Sequence, residues 1–282
     1  MQPKVSVVIP AYNAAETIER TLRSIYAQTI VPFEIVIGDD ASTDNTVELA
    51  RKMGATVLEL PKSNGAAARN AAFEATTGDY IFLIDADDEW LPNKIETHLR
   101  AHEETTVGFV IDPSRRVRSN GEERGLNGEG PAGLLTWEDM IEHRNWSSGS
   151  AISVTRENWL KVGGFNPKLK GLQDVDFLVR VSRVCGPGFR IPESLTRYHL
   201  MDGGLSRGSN WQEQIVQDFA ESCDFASPAH ILSIRRTVAL RNAINSGPIE
   251  FWKHIRWGHL QLTDPRVLRG FALVVAKKLR LT

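Results

Sequence analysis

The chain has 282 residues, of which 41% are hydrophobic and 24% charged, with a formal net charge of −2. These are ordinary globular values, and the length suits one large domain or one domain with an extension. Two cysteines, Cys185 and Cys223, exclude a disulfide framework and point to a reducing compartment, while no apolar run reaches the roughly 18 residues a membrane span needs and residues 1–9 show no signal-peptide pattern. The small net charge hides an asymmetry. Residues 231–282 hold ten Lys/Arg against Glu250 and Asp264, so about +8 sits there and about −10 on residues 1–230. That pattern hints at an anionic partner for the tail.

Residues 4–9 read as a buried strand that Pro10 stops. Residues 16–28 carry Ile18, Leu22, Ile25 and Tyr26 at helical spacing, with Asn13 as a possible cap. A second strand over 33–37 ends in Gly38-Asp39-Asp40. A helix runs from Ser42 through about Met53, a third strand spans 55–60, and a third helix spans 66–76. Residues 80–84 form a fourth apolar run and lead into Asp85-Ala86-Asp87-Asp88, three carboxylates within four residues. A buried strand cannot hold that much uncompensated charge, so the acids belong where the strand leaves the sheet.

Strand–helix alternation at this spacing predicts an α/β fold with a mostly parallel central sheet flanked by helices. Parallel strands place Tyr12-Asn13, Asp39-Asp40 and the Asp85–Asp88 cluster on one edge, where open sheets bind ligands. Asp-x-Asp suits a hard divalent cation shared with phosphates; taken alone it is more often a solvated helix-capping turn. Further on, a helix over 92–103 and a strand near 107–111 are followed by a polar, Gly-rich stretch, 115–133, that reads as a hairpin or loop. A helix over 136–143, a strand over 149–155, a helix over 156–162, a Gly163-Gly164-Phe165 turn, a helix over 177–184 and a late strand over 194–199 complete this part. Beyond Trp211 the pattern is helical.

The ordered set Val7-Val8-Ile9-Pro10-Ala11-Tyr12-Asn13, Asp39-Asp40-Ala41-Ser42-Thr43-Asp44, Asn64 through Asn70, Gly78 through Asp88, Val162-Gly163-Gly164-Phe165 and Gln173-Asp174 resembles the family 2 glycosyltransferases. These are inverting enzymes with a GT-A-type, Rossmann-related nucleotide-diphospho-sugar fold. The resemblance covers about residues 4–205. It implies a nucleotide-sugar-binding half over 1–112 and an acceptor and catalytic-base half over 113–205; the residues after it, 206–282, read from their pattern and charge as a basic helical extension. It also implies a nucleotide-diphospho-sugar donor, foremost a UDP-sugar, a glycan or lipid-linked acceptor, and a divalent cation, Mn²⁺ or Mg²⁺.

Each matched residue has a chemical reason and a plainer alternative. Pro10 and Tyr12 belong to the donor site, and Tyr12 offers a ring face to a nucleobase or is an edge aromatic. Asp40, assisted by Asp39, accepts a base N–H, or one of them caps a helix. Arg69 pairs with the base carbonyl or the diphosphate, or makes a surface ion pair. Gly65 frees the backbone beside the phosphates. The resemblance puts the metal on Asp87, with Asp88 second, and Asp85 and Ala86 near the ribose and donor sugar. His199 is a further candidate metal ligand. In the family the general base lies in a Glu-Asp pair at a helix start. Here that pair is Gln173-Asp174, which makes Asp174 the base and Asp176 its near competitor; either can instead be a helix N-terminal carboxylate. Trp146-Ser147-Ser148-Gly149 is a candidate acceptor wall, Gly204–Arg207 a candidate diphosphate element, and Trp90 and Leu91 are structural.

Residues 265–280 place Leu268, Phe271, Ala272, Val275 and Leu279 at helical spacing among basic residues, with Trp252 and Trp257 upstream. That is a surface for an anionic membrane or for the catalytic domain. The expected location is cytoplasmic, peripheral on the inner face of the membrane. The rival readings are a nucleotidyltransferase, which would want a Gly-rich basic signature after the first strand, and a non-catalytic sugar-nucleotide-binding scaffold. The acidic cleft argues against nucleic acid as a partner.

Overall fold

The computed structural model describes residues 3–128, 130–142, 147–200 and 212–245, together with 255, 258, 260 and 267. The chain forms two compact units, residues 1–168 with 173–201, and residues 169–172 with 202–282.

The first unit starts with the expected alternation: β1 (Val5–Ala11), α1 (Ile18–Tyr26), β2 (Glu34–Asp39), α2 (Thr46–Lys52), β3 (Thr56–Glu59), α3 (Gly65–Glu74) and β4 (Tyr80–Leu83). β1 pairs in parallel with β2 and β4, and β2 in parallel with β3. β1 is central and apolar on both faces, so Val5, Val7, Val8 and Ile9 are all buried. It runs through Pro10 to Ala11 instead of stopping at the proline. Its pairing with β4 ends at Val8, so Pro10 has a ladder on one side only, the edge-type position where proline is tolerated.

The rest of the unit is less regular. β5 (Glu89–Trp90), α4 (Lys94–Glu104), β6 (Phe109–Ile111), β7 (Ser114–Val117), β8 (Glu123–Asn127), β9 (Gly133–Leu135) and α5 (Trp137–Glu142) lead to a 3-10 turn, Gly149–Ala151. Then come β10 (Ile152–Thr155), α6 (Arg156–Val162), α7 (Gln173–Cys185), β11 (Gly188–Arg190) and β12 (Thr196–His199). The large sheet has the order β3-β2-β1-β4-β10-β6-β11-β9, with β10 antiparallel to both neighbours. Thus only its first half is purely parallel. A second sheet, β5-β12-β7-β8, is absent from the sequence reading, because strands of two to five residues carry no signal of which of them pair. The stretch read as a hairpin or loop is the β7–β8 hairpin with β9 after it.

Two close contacts set the positions of α3 and α7. A Cβ at Gly38 in β2 would lie 2.2 Å from the Ala68 carbonyl oxygen, so glycine and the alanine-rich face of α3 let helix and strand touch. Asn70 of α3 accepts from the Phe165 N–H (2.9 Å) and donates to its carbonyl (2.8 Å). Phe165 stacks on Phe177 of α7 at 4.4 Å between centroids, with Trp159 against both.

The second unit contains α8 (Gln212–Ser222) and α9 (Pro228–Asn245), and its small apolar cluster joins Leu240 and Ala243 to Ile255 and Val267. Residues 204–207, Trp252, Trp257 and Leu268, Phe271, Ala272, Val275 and Leu279 of the amphipathic pattern lie outside the described residues, as does Trp146. No helix among the described residues is long and apolar enough to cross a membrane.

A charged group sits in the core of the first unit. Lys94 of α4 and Asp112 after β6 are both fully buried and hydrogen-bonded to each other. Lys94 also donates to the Ala151 carbonyl (3.0 Å), and Asp112 accepts from the Leu195 N–H (2.8 Å). Burial opposes the Asp112 charge, yet Lys94 and then His98 hold its carboxyl below the usual range. The pair ties α4, β6, the 149–151 turn and the start of β12 together. Replacing Lys94 by Met strands a buried carboxylate, and the expected loss is about 3–5 kcal/mol of unfolding free energy. Urea unfolding measures it, and a near-zero change would show that the pair is not holding these elements.

Candidate active site

β2, β1 and β4 are adjacent and parallel, so Asp39-Asp40, Tyr12 and the Asp85–Asp88 turn follow neighbouring strand ends on one edge. The turn joins β4 of the large sheet to β5 of the small one. Asp85, Asp87 and Asp88 each offer a carboxylate oxygen, and these lie within 4.8 Å of one another. Like charges this close disfavour ionisation. Burial, then Asp85, raises Asp87 to about 6. Asp88, fully buried, is raised well above its usual value by burial, then by Asp87 and Asp85.

Three groups of contacts hold this crowded turn. One face of α1 and its first turn takes the backbone carbonyls: Thr17 and Thr21 donate to Ala86 at 2.8 and 3.0 Å, Arg20 to Asp87 at 2.6 Å, and Thr21 to Asp88 at 2.8 Å. The spacing 17, 20, 21 is one helical face. Asp88 is held from far along the chain. Its Oδ2 accepts from the Ser150 hydroxyl and its Oδ1 from the His199 N–H at 2.9 Å. Ser150 also accepts from the Asp85 N–H (3.0 Å), and its carbonyl accepts from the Trp90 indole (2.7 Å), which gives Trp90 the expected structural part. Lastly, Arg69 pairs with Asp85 at 2.5 Å. Arg69 is 8% exposed, so this is neither a surface ion pair nor a guanidinium turned to solvent. Burial opposes the charge, but Asp85, then Asp174, hold it. Gly65 lies beside it: a Cβ there would come within 3.1 Å of the Arg69 Nη1.

The strand ends next door form a second cluster. Asn13 and Ala41 both adopt the left-handed backbone, with φ of 48° and 61°. Asn13 accepts from the Thr43 N–H (2.8 Å) and donates its own N–H to Ser42 (2.9 Å), so it ties the two loops together and does not cap α1, whose N-cap is Thr17. Asp44, not Asp39 or Asp40, serves the start of α2, accepting from the Thr46 N–H at 3.0 Å. Asp39 accepts from the Ser42 N–H (2.9 Å), and its Oδ1 is buried without a hydrogen-bond partner among the described residues. Asp40 accepts from the Ser63 N–H (2.5 Å) and pairs with Lys62 (2.9 Å). Tyr12 is 50% exposed.

The structure separates Asp174 from Asp176. Asp176 is fully buried and pairs with Arg180 at 2.6 Å, while Arg180 donates to the Val162 and Gly164 carbonyls. Asp174 instead has its carboxylate against Gly149, where a Cβ would meet its Oδ1 at 3.2 Å. That places it one residue from Ser150 and within the field of Arg69. His199 reaches the acidic turn through its backbone N–H, while its ring Nε2 lies 2.7 Å from Glu89, the residue that follows Asp88. The proposed acceptor wall is also partly structural, since Ser147 donates to the Asp112 carbonyl and Ser148 bonds Ser114. Thr17, Arg20, Thr21, Lys62 and Ser150 escaped the sequence reading. Only the two threonines left a trace in the sequence, as hydroxyls four residues apart beside Ile18 and Leu22; the structure buries both, 6% and 0% exposed.

The family model for glycosyl transferase family 2 matches residues 6–157. The chain belongs to that family. It is 31% identical over 212 residues to the amylovoran biosynthesis glycosyltransferase AmsB of Erwinia amylovora, covering 70% of this chain and 69% of that one. Among curated relatives 31–33% identical to it, the chain spans from 19% to 69% of their length. The fold resembles S. aureus TarS 1-349 in complex with UDP-GlcNAc, with a TM-score of 0.62 and 18% identity over 89% of this chain and 72% of that one. It also resembles the mannosyltransferase PcManGT of Pyrobaculum calidifontis in complex with GDP-Man and Mn²⁺, with a TM-score of 0.59 and 20% identity over 100% and 76%.

The acidic turn generates a pH-dependent prediction. Asp87 is raised from 3.8 to about 6, so the stability it contributes is present below pH 3.8 and is lost as pH rises through 6. A bound divalent cation offsets that loss. Thermal unfolding with Mn²⁺ is expected to show a larger stabilisation at about pH 7.5 than at about pH 5, because protons compete for the same oxygens. An equal shift at both would place the cation elsewhere.

Proposed function

We propose that this chain is an inverting, metal-dependent glycosyltransferase. It takes a sugar from a nucleotide-diphospho-sugar, foremost a UDP-sugar, to a hydroxyl of a glycan or lipid-linked saccharide in cell-surface polysaccharide synthesis. The observation that carries the reading is the approach of Asp174, through Gly149 and Ser150, to the Asp85–Asp88 turn. A base and a donor-binding turn then face one space. Membership of family 2, a relative named for amylovoran biosynthesis and neighbours solved with sugar nucleotides support it over nucleotidyl transfer.

In this reading Tyr12 stacks on the base, Asp40 takes its ring N–H, and the unpartnered Asp39 Oδ1 accepts a further donor from the nucleoside. Arg69 holds Asp85 by its ion pair and aims it at the ribose. Asp87 is the first metal ligand. Both Asp88 oxygens already accept hydrogen bonds, but a carboxylate has about four lone-pair sites, so Asp88 can serve as a second. A divalent cation held there neutralises charge developing on the leaving diphosphate. Asp174 accepts the proton of the acceptor hydroxyl as it attacks the anomeric carbon from the opposite side. The basic residues over 231–282 suit an acceptor presented at an anionic membrane.

Asp174→Asn is expected to lower transfer by about 10²–10⁴-fold while UDP and Mn²⁺ binding persist. Product release from a panel of nucleotide-sugars, beside calorimetric UDP binding, reads the two separately; full turnover in the variant would refute the base. For the tail, co-sedimentation of the whole chain with anionic vesicles is expected, falling as salt rises, with none on neutral vesicles. Equal binding to both kinds would remove the electrostatic part of the argument.

A further inference from the structure

Lys62, in the loop between β3 and α3, is a charged side chain beside Tyr12 and Asp40 to which the mechanism gives no part. Its Nζ lies 2.9 Å from the centroid of the Tyr12 ring and 2.9 Å from Asp40 Oδ2. The Ser63 N–H takes the other Asp40 oxygen, so two consecutive loop residues clamp the carboxylate. An ammonium this close to the ring covers the face on which a nucleobase would stack.

We infer that Lys62 determines nucleobase specificity: it covers the Tyr12 ring in the free protein, yields that face to the base, and from Asp40 donates a hydrogen bond to a carbonyl on the base edge. This rests on the donor-nucleotide reading above. The chemistry follows from the two groups. An ammonium has three donors and no acceptor, and an ionised carboxylate only accepts. Side by side they present a donor next to an acceptor. The complement is a carbonyl oxygen next to a ring N–H, found in uracil and guanine. Cytosine and adenine carry the inverse, an amino group next to an unprotonated ring nitrogen. Against them Lys62 faces a donor and Asp40 a lone pair, and a site built from hydrogen-bonding groups rejects the mismatched ligand strongly. Half of the Lys62 side chain is exposed, 51%, so it can leave the ring without disturbing the core.

The test is calorimetric binding of UDP, CDP, GDP and ADP, each with Mn²⁺, to the whole wild-type chain, Lys62→Met and Lys62→Arg. Wild type is expected to prefer UDP to CDP and GDP to ADP. In Lys62→Met the UDP-to-CDP ratio should fall by about tenfold, the scale of one lost charge-assisted hydrogen bond. UDP weakens, and CDP holds or improves because the ring face is open. Lys62→Arg should keep most of the preference. An unchanged ratio in Lys62→Met, with UDP still bound, overturns the role of Lys62 and leaves the donor reading intact. Failure of wild type to bind any of the four overturns the donor reading and this inference with it.

Discussion

Three carboxylates on one turn repel one another, and the first unit is arranged to hold them together. The turn does not do this alone. α1 grips its carbonyls, Arg69 neutralises one acid, and Ser150 with the His199 backbone binds another. The remaining strain appears as the raised Asp87 and Asp88. A site that keeps unbalanced negative charge in a partly buried place is poised for a cation.

The supports of the turn have supports of their own. Gly38 lets α3 lie against β2, which brings Arg69 to Asp85. Asn70, on the same helix, fastens the Gly164-Phe165 turn, and Phe165 stacks on α7, whose first turn carries Asp174. The buried Lys94–Asp112 pair fixes the 149–151 turn and β12, the two segments that reach Asp88. Motifs far apart in the chain are therefore parts of one framework: Asn70 supports the Phe165 contact with α7, and Arg69 supports the acidic turn.

Two residues of the matched motifs have partners that the motifs do not reveal. Arg69 is buried on Asp85, and His199 gives its N–H to Asp88 while its ring turns to Glu89. In each case the partner is a carboxylate of the acidic turn or of the residue that follows it.

Sequence alone determined the order of strands and helices through Leu83, the common edge of Tyr12, Asp40 and the Asp85–Asp88 turn, and the family. The first two follow from local periodicity and from the geometry of parallel strands, which needs no knowledge of distant contacts, and the family from the resemblance of the ordered motifs. Tertiary structure alone decided which partner each acid meets: Asp176 goes to Arg180, Asp174 lies against Gly149, and Asp88 goes to Ser150 and the His199 N–H. It also supplied the second sheet and the place of Lys62 on Tyr12. These depend on contacts between segments as far apart as residues 88 and 199, and no short-range pattern in a chain encodes which of several equally suitable carboxylates a distant donor will reach.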